Sequence, residues 1–180
     1  MYKLPMWEIN QLTLKNQANF SGIGLHSGIK VEVTLEPANS NSGIVFRRTD
    51  LEKDNEIVAN FKNVSSAKLC TKIENSSGAS VSTIEHLMAA FYICGIDNII
   101  VNLNGPEVPI MDGSAKDFVK IIKDCGLKVL EGKRKFVRIK NKIELKTDDG
   151  KLIYIKPSNQ TLDVKFTLNY EKNPLIKTQT

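Results

Sequence analysis

Lys30 to Leu35 reads Lys-Val-Glu-Val-Thr-Leu, a strict alternation of polar and apolar side chains that ends just ahead of Pro37. Period two marks a strand with one face buried. Glu8 to Leu14 alternates more loosely and predicts another strand. Ile44-Val45-Phe46 predicts a short one, set off by the polar stretch from Asn39 to Gly43. Leu69 to Ile73 and Ala79 to Val81 flank Asn75-Ser76-Ser77-Gly78, whose composition predicts a hairpin turn.

At Ser82 the period changes. Ile84, Leu87, Met88, Phe91 and Tyr92 recur at helical spacing, so Ser82 to Ile93 predicts a helix that Gly95 closes. Ile96 to Leu103 is β-rich and mostly apolar, which predicts a buried strand. A second helix is predicted from Ser114 to Cys125, with Phe118, Ile121 and Ile122 on one face and Gly126 as its stop. Helix, strand and helix after a strand-rich half predict an α+β, two-layer domain spanning residues 1–132. Strand patterns resume at Phe136 to Ile139, Ile143 to Leu145, Leu152 to Ile155 and Leu162 to Leu168, with Asp148-Asp149-Gly150 as a turn. No helix follows to cover them. Residues 133–180 therefore read as the incomplete start of a second α+β domain.

Composition adds exclusions. Of 180 residues, 41% are hydrophobic and 25% charged, the balance of a globular protein. No apolar run approaches the roughly 20 residues that span a bilayer, and the first residues lack the apolar core of a secretory signal. These features predict a cytoplasmic protein without an integral membrane segment. The net charge of +5 is spread along the chain, with tight clusters only at Arg47-Arg48 and Lys133-Arg134-Lys135. No basic stripe interleaved with aromatics is visible, so nucleic acid is not the expected partner. Cys70, Cys94 and Cys125 form no CxxC pair. Cys94 and Cys125 read as buried core residues at helix ends, and Cys70 is left open.

The chemistry concentrates at Thr83-Ile84-Glu85-His86. The chain has two histidines, His26 and His86, and His86 follows a carboxylate directly. In a zinc hydrolase the imidazole binds the metal and the carboxylate takes a proton from water. The same residues have plainer readings. Ser82-Thr83-Ile84-Glu85 fits a capping box, and a single histidine on a helix needs no ligand. Gly22-Ile23-Gly24-Leu25-His26-Ser27-Gly28 leads into a strand rather than a helix, so it is no dinucleotide loop. It predicts a tight turn with His26 at its tip, functional or merely exposed. Asp112, in Asp112-Gly113-Ser114, sits where a helix cap or dipole partner is common.

Together these segments resemble one family. Gly22 to Gly28, Phe46-Arg47-Arg48-Thr49-Asp50, Leu69-Cys70-Thr71, Ser82 to Leu87, Gly95-Ile96-Asp97-Asn98-Ile99 and Pro109-Ile110-Met111-Asp112-Gly113-Ser114 occur in the order and spacing of the UDP-3-O-acyl-N-acetylglucosamine deacetylases, the zinc amidases of lipid A biosynthesis. The resemblance implies two similar α+β domains with the active site between them, a Zn2+ cofactor and a UDP-linked acylated amino sugar as substrate. It implies that His86 is a zinc ligand and Glu85 the general base. By the same resemblance Leu69 and Cys70 line the site near the acyl chain, while His26 and Asp112 stand at its rim or support it. The family's other two zinc ligands lie on an H-K-x-x-D helix, and a further histidine lies nearer the C-terminus. Nothing in this chain matches either, and the resemblance ends at Asn173-Pro174-Leu175-Ile176. A missing C-terminal domain is therefore expected, and the fragment is expected to be inactive alone. The alternative is a non-catalytic, half-length paralogue that binds a partner or a nucleotide sugar.

Overall fold

The computed structural model describes residues 9–159, 163–170, 174–175 and 177–180. One compact unit ends at Lys135 and a second begins at Phe136. In chain order the first unit holds β1 (Asn10–Leu14), β2 (Ala18–Ile23), β3 (Lys30–Pro37), β4 (Ile44–Arg48) and β5 (Glu56–Val58). A 3-10 turn at Phe61–Asn63 precedes β6 (Val64–Ser66), β7 (Lys72–Glu74) and β8 (Ser80–Val81). Then come α1 (Glu85–Cys94), β9 (Ile99–Leu103), α2 (Lys116–Cys125) and β10 (Leu127–Lys133).

The main sheet runs β2-β3-β9-β4-β5. Its one parallel pair is β4 with β9, from Ile44 opposite Ile99 to Arg48 opposite Leu103. Parallel neighbours cannot be joined by a tight turn. The chain leaving β4 travels through β5 to β8 and α1 before it returns as β9. The alternation read in β3 holds: Val31, Val33 and Leu35 are buried, while Lys30 and Glu32 face solvent. They join Ile99, Val101 and Leu103 of β9, Phe46 of β4, Leu87, Ala90 and Phe91 of α1, and Phe118 and Ile122 of α2 in one apolar cluster. Phe20 meets Phe118 edge to face with ring centres 5.5 Å apart, an arrangement that favours aromatic pairs beyond their buried area. The class is α+β, with two helices packed on each other and on the sheet's core.

Several elements differ from the pattern-based expectation. β2 carries Gly22 and polar residues that hide its period, yet it pairs with β3 along its whole length. β5 and β6 are three-residue strands, too short to show a period. β7 begins at Lys72 rather than Leu69, and β9 at Ile99 rather than Ile96. β10 pairs with β1 and carries the first unit through Gly132 to Lys133. Arg134 then donates to both carboxylate oxygens of Asp97, at 2.8 and 2.7 Å. The Asn75–Gly78 turn forms as expected: Asn75 Oδ1 accepts from the amides of Ser77 and Ala79, each at 3.0 Å. Gly95 closes α1 with a left-handed φ of 72°, which glycine adopts without a Cβ penalty.

In the second unit, β11 (Ile143–Lys146) and β12 (Leu152–Ile155) form an antiparallel hairpin turned by Thr147 to Lys151. β13 (Leu168–Tyr170) pairs with β14 (Lys177–Gln179). Phe136 to Ile139, expected as a strand, has no ladder partner among the described residues, and its backbone is irregular. The strand expected from Leu162 begins outside the described residues, and 163–167 form no ladder with any described residue. Ile143, Leu145, Leu152 and Ile153 are all more than half exposed.

Candidate active site

The chain enters α1 through a strained turn. Thr83 has φ of 57°, a left-handed conformation uncommon for any residue with a Cβ and costly for a β-branched one. This turn rules out the capping box that Ser82-Thr83-Ile84-Glu85 also fits. Ser82 sits outside the helix, and its amide and hydroxyl both donate to the carbonyl of Pro106, at 2.9 and 3.2 Å. Glu85 does not reach back to Ser82. Its Oε2 instead accepts from the amide of Thr71 at 3.1 Å. Among the described residues its Oε1 has no hydrogen-bond partner, and the His86 ring has none either.

Glu85 and His86 are half-buried in the first turn, while Leu87, Ala90 and Phe91 turn into the core. Glu85 borders a groove of about 460 Å³ whose walls include Ala59, Phe61, Val64, Ile73, Ile84 and Met88. Leu69 and Cys70 lie immediately before the Thr71 amide that holds Glu85. Leu69 is 85% exposed with φ of 66°, and Cys70 is half-buried. Thr71 also accepts, through its carbonyl, the amide of Ile84 at 3.5 Å. The segment bearing Leu69 and Cys70 is thus fastened to the helix start that carries Glu85 and His86. Cys94 and Cys125 pack against the core but are only partly buried, a correction to the core reading; burial pushes both thiols up.

His26 is exposed at the tip of its turn, where the Gly28 amide donates to the Gly24 carbonyl at 3.0 Å. What holds the turn is Glu107, a residue with no evident role in the sequence pattern. It is 1% exposed. Its Oε1 accepts from the His26 amide at 3.0 Å and the Thr83 hydroxyl at 2.7 Å, and its Oε2 from the Ser27 amide at 2.7 Å. Burial alone would raise this carboxyl, but the donors of His26, Ser27 and Thr83 outweigh it and hold it at about 2. A Cβ on Gly24 would collide with Ser27 Oγ and Glu107 Oε2, so a larger residue there would have to displace the Glu107 carboxylate from its partners. Its place between Pro106 and the apolar Val108 is the one hint the sequence holds, and a buried acidic side chain has to be partnered.

Asp112 is exposed, and its Oδ1 accepts from the Ser114 hydroxyl and amide, at 2.8 and 2.9 Å. Those bonds hold its carboxyl below its ordinary value. Its loop adjoins the glycine turn through the Ile110 amide, which donates to the Ile23 carbonyl at 3.0 Å. No hydrogen bond or ion pair among the described residues joins Asp112 to Glu85 or His86.

Catalytic zinc takes three protein ligands and a water. Among the described residues no three His, Cys, Asp or Glu side chains gather as a metal site. His86 offers one nitrogen, so the described residues do not by themselves fit the metal. No helix among them is long and apolar enough to cross a membrane.

Residues 11–180 match the family model described as LpxC, UDP-3-O-acyl N-acetylglycosamine deacetylase. The chain belongs to that family. It is 47% identical to the UDP-3-O-acyl-N-acetylglucosamine deacetylase of Geotalea uraniireducens over 94% of this chain and 54% of that relative. The deacetylase of Haemophilus ducreyi is 43% identical over 93% of this chain and 54% of its own length. That of Blochmanniella pennsylvanica is 44% identical over 96% and 57%. The chain spans about half the length of these curated relatives and corresponds to their N-terminal half.

Proposed function

We propose that this chain is the N-terminal half of a zinc-dependent amide hydrolase that removes the N-acetyl group of UDP-3-O-acyl-N-acetylglucosamine in lipid A biosynthesis, and that it is inactive without the rest of the protein. Residues 1–132 form the first domain and 133–180 open the second. The reading is carried by one observation: a half-buried carboxylate beside a histidine, spared from helix capping and bordering an apolar groove. The Thr71 amide orients Glu85 through one oxygen and leaves the other for a proton. Glu85 takes that proton from the attacking water. The oxygen adds to the acetamido carbonyl, the C–N bond breaks, the proton passes to the glucosamine nitrogen, and acetate leaves.

His86 would give zinc one nitrogen, and the remaining ligands would come from the part of the relatives' length that this chain does not span. Leu69 and Cys70 line the site on the acyl side, His26 and Asp112 stand at its rim, and the work takes place in the cytoplasm. Acetate release from the UDP-linked acylated sugar by the full-length protein tests this reading. Equimolar acetate and free amine are expected. Tight binding of the sugar nucleotide without either product would instead make the protein a binding paralogue.

A further inference from the structure

Glu107 is a buried charge that no step of the proposed hydrolysis uses. It is also where three separated segments meet. Its two oxygens take the His26 and Ser27 amides from the glycine turn and the Thr83 hydroxyl from the start of α1. The backbone on either side of it is tied to the same place: the Ser82 amide donates to Pro106, and the Val108 amide donates to Ser82 at 3.1 Å. Thr83 is 2% exposed and sits two residues ahead of Glu85. A β-branched residue stays left-handed only where its surroundings force it, and the Thr83 hydroxyl is held at 2.7 Å by Glu107 Oε1. Strain at Thr83 sets the direction in which α1, with Glu85 and His86 in its first turn, leaves β8.

We propose that Glu107 is a positioning residue that couples the His26 turn to the Glu85-His86 turn through the strained backbone of Thr83. The proposal rests on the deacetylase reading. Its carboxylate stays charged throughout the working range, consistent with a permanent tether rather than a switch. Glutamine at 107 keeps the shape but brings an amide N–H2 against donors, so at least one of the three bonds is lost.

The test uses the full-length protein carrying Glu107→Gln, Thr83→Ala or Thr83→Ser. Misplacement of a catalytic group by about 1 Å can cost about 100-fold. Glu107→Gln is therefore expected to lower kcat by about 10- to 100-fold, with KM and zinc content near wild type and the fold intact by circular dichroism. Thr83→Ala should lower kcat by a smaller factor, and Thr83→Ser should restore it. A folded Glu107→Gln protein with wild-type kcat overturns the proposal, as does a rise in KM alone. If Glu107→Gln does not fold, the Thr83 pair decides, and unchanged kcat in Thr83→Ala overturns it. Histidine-ring resonances, assigned with His26→Gln and His86→Gln, keep this separate from failure of the deacetylase reading. The Thr83→Ala change, or Glu107→Gln where folded, should move the His26 and His86 signals together. An unmoved His86 signal overturns the proposal even in a protein without turnover.

Discussion

Glu107 shows how one side chain's surroundings decide its role. Its ordinary value is 4.5, and the hydrogen bonds it accepts hold it at about 2 in the folded chain. A carboxyl depressed in this way stabilises the fold above pH 4.5, and that contribution is lost as pH falls toward about 2. Urea unfolding across this window should show stability falling more steeply for wild type than for Glu107→Gln. Parallel curves for the two proteins would contradict it. The strain at Thr83, a cost of about 1–3 kcal/mol for such a conformation, is tolerable because breaking the turn would orphan a buried carboxylate. Burial and partners at these two positions are facts of three dimensions. Nothing in Ser82-Thr83 or Pro106-Glu107 shows that they meet.

At the scale of elements, a regular period made segments legible. β3, α1 and α2 were readable because alternation or a 3.6-residue recurrence reflects which face is buried, and β4, β9, β11 and β12 because short β-rich apolar runs stand between polar turn residues. β2, β5, β6 and β10 were not, since each is short, glycine-bearing or exposed and is held by ladder bonds to a partner rather than by its own pattern. The adjacent Glu85 and His86 were visible as chemistry, whereas Glu107 and the groove walls needed the fold. The capping-box reading failed because local sequence cannot express the left-handed turn at Thr83. One clamp between elements can be tested directly. Asp97 accepts the Leu12 amide at 2.9 Å and the Arg134 guanidinium, tying β1, the end of α1 and the chain leaving β10 together. Asp97→Ala should destabilise the first unit by about 1–3 kcal/mol, the cost of leaving such donors unpaired. A change below about 0.5 kcal/mol, the size of an ordinary surface substitution, would show that the clamp is dispensable.

For the whole molecule the two units differ in kind. The first surrounds a continuous core, whereas the second presents β11 and β12 with apolar side chains open on both faces. Amides of β11 and β12 in the 180-residue chain should exchange with deuterium at least about tenfold faster than those of β3 and β9. Equal protection would mean that the second unit is stable as it stands. The account's central claim is that neighbouring residues divide the labour, Glu85 moving the proton and His86 holding the metal. Zinc content and acetate release, measured together on full-length Glu85→Ala and His86→Ala proteins, test it most directly. The prediction is that Glu85→Ala keeps its zinc and loses turnover by about 100-fold or more, while His86→Ala loses both. Wild-type turnover in Glu85→Ala, or a full complement of zinc in His86→Ala, would contradict it.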